Sequence, residues 1–332
     1  MPLTAIVLVG LGTLMMACHS VTQRFALRGG GVLSNRQVLL AQHGLSLLVL
    51  LASFFWWAGG ATPVGDQASI FWLAIAGTTL LNVGIQYANV RSLQLADASL
   101  VKPIQALTPG LVVVAAMLLH EYPSRQGVAG ILLVSVGMYI HAREDAHTLR
   151  EWLLPLVFLF TPPDITARPP GERTATLEKV LALRWAFFSA LLGTGALICD
   201  GLAARNGSVE LGFCVQAVAL TTIFALTIPR PPDPWPYPQP GRFRVWLLAG
   251  LLGLFYGLHI VLVMTALRLS PVAYIGSLKR FSIVLIGVLS WWVLRERQAK
   301  KRLVPICIIT IGAMLLALDD SANRLIAILD AP

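Results

Sequence analysis

The sequence predicts an all-α membrane protein of about ten transmembrane helices, arranged as two inverted five-helix repeats. Hydrophobic residues make up 56% of its 332 residues and charged residues only 12%, whereas an average soluble domain carries about 25% charged residues. The mean hydropathy is +0.74. Apolar runs of about 20 residues, long enough to cross a bilayer core about 30 Å thick, recur along the chain. We therefore expect a multi-pass protein of a cell membrane of the bacterial inner-membrane type.

Apolar runs bounded by turn and charge signals fall into two groups of five predicted spans. The first group lies near residues 3–23, 38–58, 69–93, 97–119 and 126–141. The second group lies near residues 182–203, 209–228, 244–268, 271–294 and 303–319. The predicted organisation is a first repeat at 1–141, a connecting segment at 142–180, a second repeat at 181–320 and a C-terminal tail at 321–332.

The two halves resemble each other residue by residue when the sequence is shifted by about 175 positions. Trp72 then falls on Trp246, and Glu121 falls on Glu296. In each half a long predicted helix ends at an apolar-apolar-x-Glu corner, and these two glutamates close the corners. An odd number of spans per repeat inserts the second copy upside down, which gives a pseudo-two-fold axis in the membrane plane and favours alternating access.

The connecting segment contains an apolar stretch, residues 153–160, that is too short to cross a bilayer. Two interpretations stay open for it. It is either an interfacial or re-entrant piece, or a loop packed on its own protein.

The formal charge of +9 resides mainly in short loops between the apolar runs. Loops after the odd-numbered spans, together with the span ends beside them, hold eighteen Lys and Arg residues, and the corresponding regions after the even-numbered spans hold three. The positive-inside rule then predicts that both termini lie outside the cytoplasm. Because the basic residues serve as topology signals, we expect no nucleic-acid partner.

The four cysteines all lie inside apolar stretches, without a CxxC pair or a His/Cys cluster at metal-ligand spacing. We therefore expect no disulfide, no metal and no cofactor. The sequence has no GxxxxGK[ST] phosphate loop, which argues against an ATP-driven pump. It also lacks a nucleophile, metal cluster or acid/base pair at convincing spacing, so an enzyme is not expected.

Three cations fall inside predicted spans, where a charge costs roughly 2.5–3.5 kcal/mol on insertion scales. Lys279 and Arg280 lie about 10–12 Å into the ninth span, and Lys102 lies less deeply in the fourth. No span clearly carries an acidic residue in its middle, since Asp200 and Glu210 are placed at span ends. We therefore expect the three cations to bind an anionic substrate, for which the planar Arg fork and the compact Lys charge are suited.

Other polar residues inside the spans are candidate lining groups of a substrate site. They are Asn82, Gln86, Gln105, Tyr256, His259 and Tyr274. Helix–helix hydrogen bonding is the simpler explanation for each of them, with Tyr256 and Gln105 as the exceptions because they neighbour the cations in the inferred packing. His259 is expected to be hydrogen-bonded. Glu121 and Glu296 are expected to cap backbone or to pair with loop cations, ahead of coupling protons.

The repeat length, the helix number and the two glutamate corners resemble the drug/metabolite transporter superfamily, in which ten helices form two five-helix halves. The corners are similar to those of the EamA-type bacterial exporters. Val101-Lys102-Pro103 in the fourth helix and Leu278-Lys279-Arg280 in the ninth resemble the triose-phosphate/phosphate translocators instead.

In the translocator group, a Lys of the fourth helix and a Lys-Arg pair of the ninth coordinate the substrate phosphate. The resemblance implies these roles for Lys102, Lys279 and Arg280, and a substrate contact for Tyr256. The third-helix contacts of that group are not matched in this sequence. Characterised relatives commonly keep both termini in the cytoplasm, which is opposite to the orientation that the loop charges predict.

The expected function is a secondary transporter, an exporter or antiporter of a small anionic metabolite, with a phosphate ester as the leading candidate. The first alternative is an EamA-like exporter of amino acids or other zwitterionic or neutral metabolites. A more remote alternative is an integral-membrane enzyme that acts on a lipid phosphate. The expected partners are a small-molecule substrate and the lipid bilayer, and the sequence leaves open whether two copies associate as a homodimer.

Overall fold

The computed structural model describes residues 1–27, 33–57, 67–96, 101, 104–142, 148–160, 170–228, 241–294 and 303–319. Every regular element in these ranges is a helix. The α-helices are α1 (Leu3–Leu27), α2 (Asn35–Trp57), α3 (Ser69–Leu95), α4 (Thr108–Ala116), α5 (Arg125–Ala142), α6 (Leu149–Phe160), α7 (Pro170–Asn206), α8 (Val209–Thr227), α9 (Arg242–Leu269), α10 (Val272–Leu278), α11 (Ser282–Leu294) and α12 (Leu303–Ala317). Short 3-10 turns cover Met117–Leu119 and Lys279–Phe281.

Six helices of the described chain, α1, α2, α3, α7, α8 and α9, are long and apolar enough to cross a membrane. Two shorter apolar stretches, Thr108–Leu119 and Val304–Ala317, accompany them. Such helices satisfy their own backbone hydrogen bonds, which a bilayer core requires. The prediction of an all-α, multi-pass membrane protein is confirmed.

Helix α4 begins at Thr108, well inside the span predicted at 97–119, whereas most other helix bounds lie within a few residues of the predicted spans. Helix α7 is a further exception. It begins at Pro170, twelve residues before the predicted start at 182, and its 37 residues extend about 55 Å. Hydropathy marks only the apolar part of this helix. Its first turns are rich in Ala, Leu, Glu and Lys, which favour helix in water as well, and Glu178 and Lys179 are exposed there.

The span predicted at 271–294 is also different, because it is not one continuous α-helix. It is divided into α10, a 3-10 turn at Lys279–Phe281, and α11. A 3-10 turn within a helix often marks a functional site. In this chain the turn falls on the two predicted substrate cations.

Helices of the first half pack mainly against helices of the second half, in reciprocal pairs. Helix α1, the first of the first half, packs on α9, the third predicted span of the second half. In the equivalent contact, α7, the first of the second half, packs on α3, the third of the first half. Likewise α1 contacts α11 and α7 contacts α4, while α2 pairs with α8 and α5 with α12. Two repeats related by a pseudo-two-fold axis would produce such a pattern. The division of the chain at residues 141 and 181 stays a prediction.

Helices α5 and α12 approach very closely at Gly130 and Gly312. A Cβ atom on Gly312 would lie 2.7 Å from the carbonyl oxygen of Gly130, and one on Gly130 would lie 2.9 Å from that of Gly312. Small residues allow such approach in membrane bundles, where close packing is a main source of helix association.

The short apolar stretch of the connecting segment forms helix α6, which is twelve residues long and contains Pro155. Leu156 and Leu159 pack on a buried cluster that includes Leu183 and Ala186 of α7. At 18 Å or so, α6 is too short to span the bilayer. The structure therefore shows a helix and not a loop, packed on α7, and its position at the membrane interface stays a prediction.

The first glutamate corner joins the two halves of the molecule. Glu121, which is 1% exposed, forms an ion pair with Arg205 at the end of α7, and its Oε2 accepts a 2.7 Å hydrogen bond from the backbone N–H of Val272 at the start of α10. His120 makes the turn with a positive φ of 57°. The expectation that Glu121 pairs with a cation and caps backbone is confirmed, while Glu296 lies outside the described residues.

A second set of polar contacts lies at the same end of the bundle. The carboxylate of Asp319 accepts hydrogen bonds from the hydroxyls of Tyr274 and Ser124, and the amino group of Met1 donates to its backbone carbonyl over 2.8 Å. These contacts tie the start of α1, the start of α5, α10 and the end of α12 together.

Candidate functional site

A cavity of about 350 Å³ lies between the two halves, lined by residues from α1, α3, α4, α7, α8, α9, α10, the turn after α10 and the start of α11. Its polar lining residues are Asn82, Thr108, Asp200, Gln216, Tyr256, His259, Lys279, Arg280 and Ser282. Apolar side chains such as Met16, Phe213 and Met264 line the remainder. An apolar cavity with a few converging polar groups is the usual form of a small-molecule site.

The cavity lies well inside the bundle. Asn82 is near the middle of the 27-residue α3, and Lys279 is seven residues past the start of α10, about 10 Å along the helix axis. Transporters built from inverted repeats bind substrate near the bilayer midplane, at the interface of the repeats and next to interrupted helices. The position of this cavity and the 3-10 turn beside it match that description.

Asp200 brings a carboxylate into the cavity. It is 8% exposed, and its Oδ1 accepts a 2.7 Å hydrogen bond from the hydroxyl of Thr78 on α3. The Gln216 amide lies 3.4 Å from the same hydroxyl, and the Asn82 amide donates to the Thr78 carbonyl over 2.8 Å. These bonds hold the carboxylate in a polar cradle formed by α3, α7 and α8.

The expectation that no acidic residue faces the predicted cations is therefore wrong. Asp200 lies six residues before the end of α7, about 9 Å along the helix, and it faces the bundle interior, so a position near a span end still reaches the cavity. Lys279 and Asp200 interact electrostatically across this space.

Arg280 differs from Lys279 in its surroundings. Within the described part of the chain no carboxylate forms an ion pair with its guanidinium group. The described lining residues include two basic groups and one carboxyl group, so with all three ionised they carry one excess positive charge. The arrangement favours a ligand that carries a negative group, because a cation at this depth is costly without a counter-charge.

Four of the eight residues predicted for the site line this cavity, namely Asn82, Tyr256, Lys279 and Arg280. They come from α3, α9 and the turn after α10, so both halves contribute. Lys102 lies outside the described residues.

Three predicted site residues do not line this cavity. The amide of Gln105 donates a 2.7 Å hydrogen bond to the Oδ1 of Asn89 on α3, which is the helix–helix bonding considered as the simpler explanation. Tyr274 is 1% exposed and directs its hydroxyl to Asp319 at the end of α12. Gln86 is half-buried on α3, one turn past Asn82.

Sequence reasoning missed Asp200 and Gln216 as lining residues. The signal for Gln216 is its isolation, because α8 is otherwise almost wholly apolar around it. The signal for Asp200 is that it follows the apolar run Leu197-Ile198-Cys199 without a loop.

A cluster of polar rings adjoins the cavity on the side of α1, α2 and α9. Tyr256 and His259 line the cavity, and the ring of Tyr256 lies 5.5 Å from that of His19 and 5.1 Å from that of His43. The Nδ1 atom of His259 lies 2.8 Å from the carbonyl oxygen of Gly12. The expectation that His259 is hydrogen-bonded is confirmed, but this residue also faces the cavity.

Comparisons with known proteins give one family and one fold. Residues 180–318 match the EamA-like transporter family. No curated protein matches the chain. A solved structure, described only as the crystal structure of a protein, is 18% identical and superimposes with a TM-score of 0.67 over 97% of this chain and 98% of that chain. At this identity the likeness concerns the fold alone.

Proposed function

We propose that this multi-pass chain, whose residues 180–318 match the EamA-like transporter family, belongs to the drug/metabolite transporter superfamily and is a secondary transporter of a small anionic metabolite. The proposed mechanism is alternating access, in which the two halves move about the central cavity and expose it to each side of the membrane in turn. A phosphate ester is the leading substrate class.

The observation that carries the proposal is the position of Lys279 and Arg280 in a cavity between the two halves. The guanidinium of Arg280 can bind two oxygens of a phosphate or carboxylate at once, and the ammonium of Lys279 supplies a compact charge beside it. The carboxylate of Asp200 interacts with Lys279 and so compensates part of the positive charge in the cavity. Arg280 is thus the group available to the ligand.

The same charge balance favours exchange over one-way transport. Arg280 has no carboxylate partner in the part of the chain that the structure describes, and such a guanidinium is costly to enclose in a low-dielectric bundle when no ligand is bound. A bound anion removes that cost, so the loaded protein changes its orientation more readily than the empty one. This preference supports an antiporter, or an exporter that returns with a second anion.

The cavity volume supports a small substrate. Ligand pockets for drug-sized molecules span about 300–1,000 Å³, and this cavity of about 350 Å³ lies at the lower end.

A zwitterionic substrate, such as an amino acid, is the second candidate, and Asp200 is the observation that favours it. The carboxylate of Asp200 and the guanidinium of Arg280 line one cavity, so they could bind the ammonium and the carboxylate of one ligand. In this case the transporter would resemble an EamA-like amino-acid exporter.

A thermal-shift screen of the protein purified in detergent tests the proposal, because a ligand that binds the folded state raises Tm. The screen compares phosphate esters, monocarboxylates and amino acids against wild type and Arg280→Ala. We expect a phosphate ester to stabilise wild type and not the variant. Stabilisation by amino acids that disappears in Asp200→Asn would favour the zwitterion instead, and equal shifts in wild type and Arg280→Ala would contradict both.

Counterflow in proteoliposomes then tests transport itself. Vesicles loaded with the stabilising compound should accumulate its radiolabelled form from outside, whereas vesicles that contain Arg280→Ala should not. Accumulation that needs no internal substrate would contradict exchange.

A further inference from the structure

The polar-ring cluster next to the cavity contains three histidines in an otherwise apolar region. Its members are His19 on α1, Gln42 and His43 on α2, and Tyr256 and His259 on α9. The three histidines are buried, with exposed fractions of 2%, 4% and 7% in that order. Ionisable residues at this depth in a membrane protein are costly and usually functional.

Hydrogen bonding fixes the tautomer of His259 and leaves His19 unsatisfied. A backbone carbonyl can only accept, so the Nδ1 of His259 carries the proton that it donates to Gly12, and its Nε2 is the free acceptor. Neither ring nitrogen of His19 makes a hydrogen bond of acceptable geometry within the described residues, although Gln42 is its polar neighbour. Buried polar atoms normally have hydrogen-bond partners, so an apolar residue would fill this space at a lower cost than a histidine without partners.

The charged and titratable groups that face the cluster come from several helices. His19 faces both His43 and His259. Lys279, from the turn after α10, acts electrostatically on His259, and Asp200 of α7 acts on Tyr256. Arg280 lines the same cavity. A proton added to the cluster is therefore repelled by two cations and attracted by one carboxylate.

An anion in the cavity changes this balance. When it binds Lys279 and Arg280, their repulsion of a protonated imidazole is offset. We propose that the histidine cluster binds a proton together with the anionic substrate, with His259 taking the proton from cavity water at Nε2, so that the two are carried in the same direction. This inference rests on the proposed function, because it uses the anion that the proposal places at Arg280.

Linkage fixes the sign and the size of the effect. The anion-bound state binds more protons than the free state, so a lower pH strengthens anion binding. If one proton accompanies each anion, the Kd falls by up to about tenfold for each unit by which the pH decreases, within the range where the free cluster is neutral.

The test measures proton uptake by purified protein in weakly buffered detergent solution that contains a pH indicator. Pyruvate and sulfate are the probes, because their charges are constant between about pH 5.5 and pH 8. Addition of a probe to wild type should remove protons from the medium, and its Kd should show the pH dependence given above. In His259→Asn, whose side-chain amide can still donate to Gly12, both effects should be lost.

The control is His120→Asn, which changes an exposed histidine outside the cluster and keeps a residue that tolerates its positive φ. It should take up protons as wild type does. Anion binding without proton uptake in wild type, or uptake that persists in His259→Asn, would overturn the proton site while leaving the anion site intact. If neither probe nor any anion of the thermal-shift screen stabilises wild type more than Arg280→Ala, the proposed function itself is contradicted, and the proton site loses its premise.

Discussion

The hydroxyl of Thr78 on α3 donates a 2.7 Å hydrogen bond to the carboxylate of Asp200 on α7, across the interface of the two halves. Both residues are buried. A buried carboxylate that loses a donor costs about 1–3 kcal/mol. We therefore expect Thr78→Val to lower the Tm in detergent and Thr78→Ser to retain most of the stability. Equal Tm values for the Val and Ser variants would show that this bond contributes little.

Arg280 should matter for transport much more than for stability. Its guanidinium has no carboxylate partner in the described part of the chain, so Arg280→Ala removes a buried charge without leaving another unpaired. We expect transport to fall about 10- to 100-fold, which corresponds to charge-assisted hydrogen bonds of about 1.5–3 kcal/mol, while Tm stays near wild type. Arg280→Lys should also transport poorly, because the two-pronged contact is lost although the charge remains.

Counterflow and thermal unfolding of the same preparations check this separation. If Arg280→Ala aggregates, and its folded fraction transports normally, the cation is structural and the anion site should be abandoned.

Lys279 should behave differently, since it interacts with Asp200. Lys279→Ala leaves a buried carboxylate without its nearby cation, and we expect a loss on the order of 1–2 kcal/mol in stability. Combining it with Asp200→Asn should restore part of that loss, because the uncompensated charge is gone. Thermal unfolding of the two single variants and the double variant measures the coupling. Strictly additive effects would mean that the two charges do not interact.

The close contact of α5 and α12 predicts a sharp contrast between two glycines. Gly312→Ala would place a Cβ atom 2.7 Å from the carbonyl oxygen of Gly130 and 2.8 Å from the backbone nitrogen of Val134, and backbone atoms cannot move aside easily. We expect a loss of about 1–3 kcal/mol. Gly250→Ala in α9 is the matched control, because nothing lies within 4 Å of its added Cβ, and it should be neutral or slightly stabilising. Similar Tm values for both variants would contradict the contact.

The orientation in the membrane is predicted from the eighteen Lys and Arg residues of the odd-numbered loops. Both termini should lie outside the cytoplasm. An alkaline phosphatase fused after residue 332 should be active, and the same enzyme fused after residue 240, in the loop after the seventh predicted span, should be inactive. A fluorescent C-terminal fusion that glows, together with an inactive phosphatase at the same point, would reverse the orientation.

The fold was largely predictable from the sequence, because spans of apolar residues are signalled locally. Lys279 and Arg280, which line the cavity, were recognisable as candidates for the same reason, since a cation within an apolar run stands out. Asp200 was not recognised as a cavity residue. It lies near the end of a predicted span, and its position in the sequence does not show which face of the helix it occupies. Tyr274 and Gln105 find their partners, Asp319 and Asn89, through packing that no local pattern encodes.

The interruption of the ninth span escaped prediction as well. Residues 279–281 have no glycine or proline to signal a break, and the 3-10 turn is visible only in the folded chain.

Glu121 sets a condition on the proposed cycle. Its carboxylate holds Arg205 and the first backbone N–H of α10 at one end of the bundle, so opening the cavity toward that end must part these groups. Each 1.4 kcal/mol that they contribute shifts the balance between the two facing states about tenfold. In the proposed cycle these contacts of Glu121 therefore influence which facing state predominates at rest, and so the side of the membrane from which substrate first enters. They lie more than one helical turn away from the groups proposed to recognise the substrate.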